Sequence, residues 1–143
     1  MVLLDTNILV YAANRDSEFH FIALQIREKT VTGETEACVS LQNLTESYSV
    51  ITSRRVEHPL PPELAVIELN KYFENEKIKK IYFDEVGFRI LGDLIRKYKL
   101  IAQSIYDLQI VATMLAHGVT KIITANESDF QEIFEVEVQN PFR

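Results

Sequence analysis

Asp5, Thr6 and Asn7 follow directly on the apolar opening MVLL, and three further acids stand at comparable junctions: Glu46 in LTESYSV, Asp107 in IYDLQIVATML and Asp129 in ITANESDF. An acid that ends a buried strand reaches the carboxyl edge of a parallel sheet, and so does one early in the helix that follows a strand. Ligands of α/β domains bind at that edge. Asp5, Glu46 and Asp129 are thereby expected at one edge, whereas Asp107 is not fixed there, because its helix follows another helix. Carboxylates gathered in a partly buried cleft repel one another unless a cation sits among them. Oxygen donors alone, with no multi-cysteine set and no suitable histidine pair, select hard cations such as Mg²⁺ or Mn²⁺ over zinc.

Each acid also has a plainer explanation. Asp5 could cap a helix starting at Thr6 or Asn7, and Asp129 could cap the turn after it. Asp107 could complete a capping box with Ser104 and favour the helix dipole, and Glu46 could be a solvated helical residue. His20, His58 and His117 lie in unrelated contexts, with His117 beside Gly118 at a helix end. The single cysteine, Cys38 in EACVSL, excludes an intrachain disulfide and reads as a buried, inert thiol.

The elements that must position these residues follow from apolar spacing and sparse punctuation, four Gly and four Pro in all. MVLLD, EACVSL, KIYF at 80–83, KIITA and VEVQNP read as strands. DTNILVYAA, FHFIALQIREKT, LQNLTESYSVITSRR, PELAVIELNKYFEN, 85–98 and SIYDLQIVATMLAHG read as helices. The third of these should bury Leu41, Leu44, Tyr48 and Ile51, and the helix over 85–98 should bury Val86, Ile90, Leu94 and Tyr98. DFQEIF should form a helical turn. Strands alternating with helices predict one α/β domain over residues 1–143, a mostly parallel sheet of about five strands covered by helices on both faces.

Composition narrows the functional classes. A formal net charge of −6 argues against binding nucleic acid by bulk electrostatics, though not against an enzyme that engages a few nucleotides through a metal. Lys/Arg clusters at Arg54–Arg55, Lys77/Lys79/Lys80 and Arg96/Lys97/Lys99 read as solvated faces. No apolar run approaches the ~18 residues of a membrane span. The N-terminus is unlike a signal peptide, so a cytoplasmic protein is expected.

Taken together, LLDTNILVY, LTESYSVITSR, YDLQIVATMLAHGVTKIITANESDF and the closing EVEVQNPF resemble the PIN-domain ribonucleases, and within them the VapC-type toxins of toxin–antitoxin pairs. The resemblance covers essentially the whole chain. It implies that Asp5, Glu46, Asp107 and Asp129 bind one or two Mg²⁺ or Mn²⁺ ions, with Thr6 and Asn7 orienting Asp5 or its water and Asn126 assisting near Asp129. The family commonly has a basic residue where this chain has Ala125, and Glu127 adds an acid, so Glu127 is the alternative to Asp129. The resemblance further implies RNA hydrolysis leaving a 5′-phosphate and a 3′-hydroxyl, a homodimer, and a small antitoxin partner that presses a basic residue toward the acids. Two other classes compete. A phosphatase with Asp5 as nucleophile would want a second Asp where Asn7 stands, and a receiver domain would want an acid pair beside Asp5. A non-catalytic module of the same fold would use the acids only to attract a basic partner.

Overall fold

The computed structural model describes residues 1–143. In chain order the elements are β1 Val2–Leu4, α1 Thr6–Ala13, α2 His20–Val31, β2 Ala37–Ser40, α3 Leu41–Ile51, α4 Pro62–Phe73, β3 Lys79–Ile81, α5 Glu85–Tyr98, α6 Ser104–Ala116, β4 Lys121–Ile123 and β5 Glu137–Gln139. A short 3₁₀ turn at Glu127–Asp129 lies between the last two strands. The five strands form one sheet in the order β3-β2-β1-β4-β5, and every neighbouring pair is parallel. No helix is long and apolar enough to cross a membrane.

Alternation along β1 divides the core. Leu3, with Cys38, Ile81 and Ile122, faces a cluster that includes Leu91 and Leu94 of α5 and Leu108, Val111 and Met114 of α6. Val2 and Leu4, with Val39, face the opposite way, toward Leu9 of α1, Leu44 of α3 and Tyr72 of α4. Each fully buried Leu or Ile contributes about 1.5–3 kcal/mol of apolar transfer free energy, so these two faces hold the sheet between its helical layers.

Local chemistry sets the ends of the elements. The Ser40 hydroxyl accepts from Asn43 N at 2.9 Å and starts α3. The Asp84 carboxylate accepts from Gly87 N at 2.9 Å and starts α5. Pro62 occupies the first turn of α4, where its missing N–H costs nothing. Gly118 ends the α6 segment at φ +71, a left-handed conformation that glycine adopts without a Cβ penalty.

Four expectations about the elements are corrected. In α3, Leu41 is exposed, whereas Asn43 and Ser47 join Leu44 and Ile51 on the buried face. Ser47 Oγ donates to Asn43 O at 2.7 Å and Ser40 Oγ to Asn43 Oδ1 at 2.7 Å, so polar residues enter the interior with partners supplied. The same helix ends at Ile51, leaving Arg54–Arg55 in the following turn. In α5 the buried positions are Gly87, Leu91 and Leu94, with Val86 turned to solvent. DFQEIF is not helical beyond its first residue: the 3₁₀ turn ends at Asp129, and the buried side chains of Phe130 and Ile133 anchor an irregular turn to the core.

Candidate active site

The sheet reverses its winding direction between β1 and β4, which makes the carboxyl ends of these two strands the topological switch point. Asp5 N donates to Ile123 O at 3.1 Å and carries the ladder to its last rung there. The Asp5 side chain then turns into the crevice, only 9% exposed. Its Oδ2 accepts from Thr124 Oγ1 at 2.7 Å, and its Oδ1 from Thr6 N at 2.8 Å. Asn7 Nδ2 lies 3.4 Å from Oδ2 and donates to Thr124 Oγ1 at 3.0 Å, while Asn7 Oδ1 accepts from Ala125 N at 3.0 Å. Asn7 thereby ties the start of α1 to the loop after β4. Asp5 is also the N-cap of α1, so the capping role and the cleft position coincide in one residue.

Burial holds the Asp5 carboxyl above the usual carboxylate range, opposed by the hydrogen bonds from Thr124 and Thr6 and reinforced by the charges of Glu46 and Asp129. The same charges act on Asp107, which burial first, and then Asp129, Asp5 and Glu46, push up to about 6. No Lys or Arg figures among the influences on either carboxyl. The four predicted acids therefore face one another electrostatically, without a protein cation between them.

They reach the cleft from different elements. Glu46, on the exposed side of α3, accepts from Thr6 Oγ1 at 2.8 Å through Oε2 and from Gln42 Nε2 at 3.0 Å through Oε1. The buried Asn43 amide donates to Thr6 Oγ1 at 2.9 Å and fixes that hydroxyl. Asp107, in the first turn of α6, shares a recess of ≈ 220 Å³ with Asp129 from the 3₁₀ turn. The capping box expected of Asp107 with Ser104 is not formed, because Ser104 is already helical and the N-cap Gln103 makes no side-chain bond. Glu127 pairs with Arg143 at 2.9 Å and is absent from the charges acting on Asp5 and Asp107. Asn126 engages the site through its backbone, N–H donating to Thr124 Oγ1 at 3.0 Å.

Thr124, Asn43, Gln42 and Gln109 are site residues that sequence reasoning missed; Gln109 Nε2 donates to Gln42 Oε1 at 2.9 Å. Only Asn43 carried a signal, three residues after a plausible cap at Ser40, in the spacing of a buried helix N-terminus.

The donor set suits a hard cation: four carboxylates, neighbouring hydroxyl and amide oxygens, and uncompensated negative charge in a partly buried cleft. The one trio of His, Cys, Asp or Glu side chains whose ligating atoms all lie within 4.8 Å is Asp16, Glu57 and His58, elsewhere on the surface. The switch-point acids are spaced more widely. Mg²⁺ tolerates such spacing because it keeps several waters and needs few direct carboxylates.

The PIN domain family model matches residues 2–135. No curated protein sequence matches the chain. Among solved structures, a toxin–antitoxin complex from Klebsiella pneumoniae superposes with a TM-score of 0.64 at 22% identity, covering 100% of this chain and 99% of that one. VapBC2 from Rickettsia felis, bound to a DNA fragment from its promoter, gives 0.65 at 21% identity, with 98% of each chain covered. Mycobacterium tuberculosis VapC20, a sarcin–ricin loop cleaving toxin, gives 0.62 at 13% identity, covering 85% of this chain and 87% of that one. At these identities the likeness establishes the shared fold, and the family model, spanning nearly the whole chain, establishes that this protein belongs to the PIN-domain family.

Proposed function

We propose that this protein is a metal-dependent endoribonuclease and the toxin of a VapBC-type toxin–antitoxin pair. The observation that carries the reading is a set of four carboxylates converging at the switch point with no protein cation to balance them. Asp5, Asp107, Asp129 and Glu46 would hold Mg²⁺ or Mn²⁺. When bound, such an ion supplies a polarised phosphoryl group and a water of lowered pKa. Thr124 and Thr6 orient the two Asp5 oxygens, and Thr6 and Gln42 orient those of Glu46. Asp129 serves as the fourth acid in preference to Glu127, which is engaged by Arg143. Asp107 and Asp129 line a common recess of ≈ 220 Å³, where an RNA strand would enter.

The same charge logic defines the partner. A protein of net charge −6 with an unneutralised acid cleft suits a small antitoxin that inserts a basic side chain. An arginine there would replace the cation's charge and block substrate. The solved VapBC complexes of similar fold support this pairing, and the toxin acts in the cytoplasm as a homodimer. The test is cleavage of RNA with and without Mg²⁺ or Mn²⁺, with 5′-phosphate ends as the expected product. Equal cleavage in EDTA, or none in either metal, would overturn the reading.

A further inference from the structure

We infer that Gln42 and Gln109 form a strap across the mouth of the cleft that fixes the orientation of Glu46, acting as positioning residues for the cation site. The inference rests on the metal reading given above and adds two residues that ligate nothing themselves.

The acids come from opposite layers of the sheet. Glu46 stands on α3, which packs through Leu44 on one face, and Asp107 stands on α6, which packs through Leu108 and Val111 on the other. Beyond the carboxyl edge the strands no longer hold these layers together, so the spacing of the acids must be set by side chains. Gln109 of α6, two residues after Asp107, donates from Nε2 to Gln42 Oε1 at 2.9 Å. Gln42 in turn donates from Nε2 to Glu46 Oε1 at 3.0 Å. Thr6 Oγ1 donates to the other Glu46 oxygen at 2.8 Å. Glu46 is exposed, yet both of its oxygens are held.

The direction of the chain matters. A primary amide has one accepting end and one donating end. By occupying the Gln42 oxygen, Gln109 forces the Gln42 amino group toward the carboxylate. Without Gln109 the Gln42 amide is free to turn over, presenting its oxygen to Glu46 and repelling it. Both glutamines are half-buried, so the bond between them is partly shielded from water, while the bond onward to Glu46 lies at the exposed end of the strap. Supporting partners of this kind typically change metal affinity by 10–100-fold when lost.

The test is calorimetric titration of Mn²⁺ into wild type, Gln42→Leu, Gln109→Leu and the double variant, with melting temperatures alongside. Each single change should weaken Mn²⁺ binding by about 10-fold, at the lower end of that range, with little change in melting temperature. The double variant should bind no more weakly than Gln42→Leu, because Gln109 acts through Gln42. Gln109→Glu adds a further arm: it removes the donor to the Gln42 oxygen and offers the Gln42 amino group a competing carboxylate, which reverses the chain. It should weaken binding, although simple electrostatics would predict that an added negative charge strengthens it. Wild-type affinity in Gln109→Leu or Gln109→Glu, or additive losses in the double variant, would overturn the strap while leaving the metal site intact. Wild type that binds no Mn²⁺ would overturn both.

Discussion

Asp16, Glu57 and His58 bring three ligating atoms within 4.8 Å of one another, closer than any three of the acids at the switch point. Proximity alone would make that trio the better cation site. Its environment says otherwise. Asp16 already accepts from His58 Nδ1 at 2.7 Å, all three residues are exposed, and this hydrogen bond to Asp16 raises the His58 pKa. The trio supplies its own partner for the Asp16 carboxylate, and it is screened by water. At the switch point the reverse holds: Asp5 is buried, Asp107 is pushed up to about 6, and no Lys or Arg answers either. Charge left uncompensated under burial, more than closeness of carboxylates, marks a site built for something absent from the chain.

The sharpest way to break this contrast is Asp5→Asn. Asn caps a helix as well as Asp does, so folding should survive, with a melting temperature unchanged or raised by relief of repulsion. RNA cleavage should fall on the order of 100-fold or more, since losing a ligand costs at least as much as losing its supporting partners. Asp16→Asn should leave cleavage unchanged. Retained activity in Asp5→Asn, or loss in Asp16→Asn, would reverse the assignment of the two clusters.

Metal binding should separate them next. Asp107→Asn and Glu46→Gln are expected to weaken Mn²⁺ binding by about 10-fold each, as read by calorimetry. The affinity of wild type should fall as the pH drops through about 6, because Asp107 must release its proton to bind a cation. An affinity flat from pH 5 to 8 would remove Asp107 from the site.

Stability without metal gives a smaller effect of defined sign. The Asp107 carboxyl is raised in the folded state, so its favourable contribution is present below about pH 4, the unfolded carboxylate range, and is lost as the pH rises through about 6. In EDTA at pH 7.5, Asp107→Asn should therefore melt above wild type. The gain, discounted for partial exposure, is about 1 kcal/mol or ~2–4 °C. It should vanish toward pH 4. A variant less stable than wild type at pH 7.5 would mean that Asp107 is a structural residue.

The exposed trio provides the smallest effect and the opposite kind of group. His58 is raised by a partner that favours its charged form, so its contribution is present below its unfolded pKa and lost as the pH rises through the folded value. His58→Gln should abolish that slight pH dependence of the melting temperature and leave cleavage untouched.

Asp5 and Asp129 stood out in the sequence because each follows an apolar run, VLL directly and KII by six residues, and Glu46 because its helix follows a strand; Asp107 joined them only through the family resemblance. Parallel strands buried on both faces, such as VLL and ACVS, announce themselves as unbroken apolar runs, so the sheet was also legible. Polar residues that enter the interior were not. Asn43 and Ser47 are fully buried on α3, but their burial depends on partners supplied locally by Ser40 and by the Asn43 carbonyl. Periodicity therefore placed Leu41 inside in their stead. Thr124 and the two glutamines were invisible for another reason: their partners lie on other elements, and no local spacing records a meeting across the sheet.

The strand order β3-β2-β1-β4-β5 also bears on how the protein is made. β1 acquires β4 as a neighbour only after the three intervening crossovers have been synthesised, and the Thr124 hydroxyl that orients Asp5 is 119 residues away along the chain. Pairing at such separation closes a long loop and belongs to the late steps of folding. A nascent chain on the ribosome, already carrying Asp5 and Glu46, still has no assembled cleft. If the proposed ribonuclease reading holds, activity would switch on in a single late event, when β4 docks against β1 and brings the last acid with it.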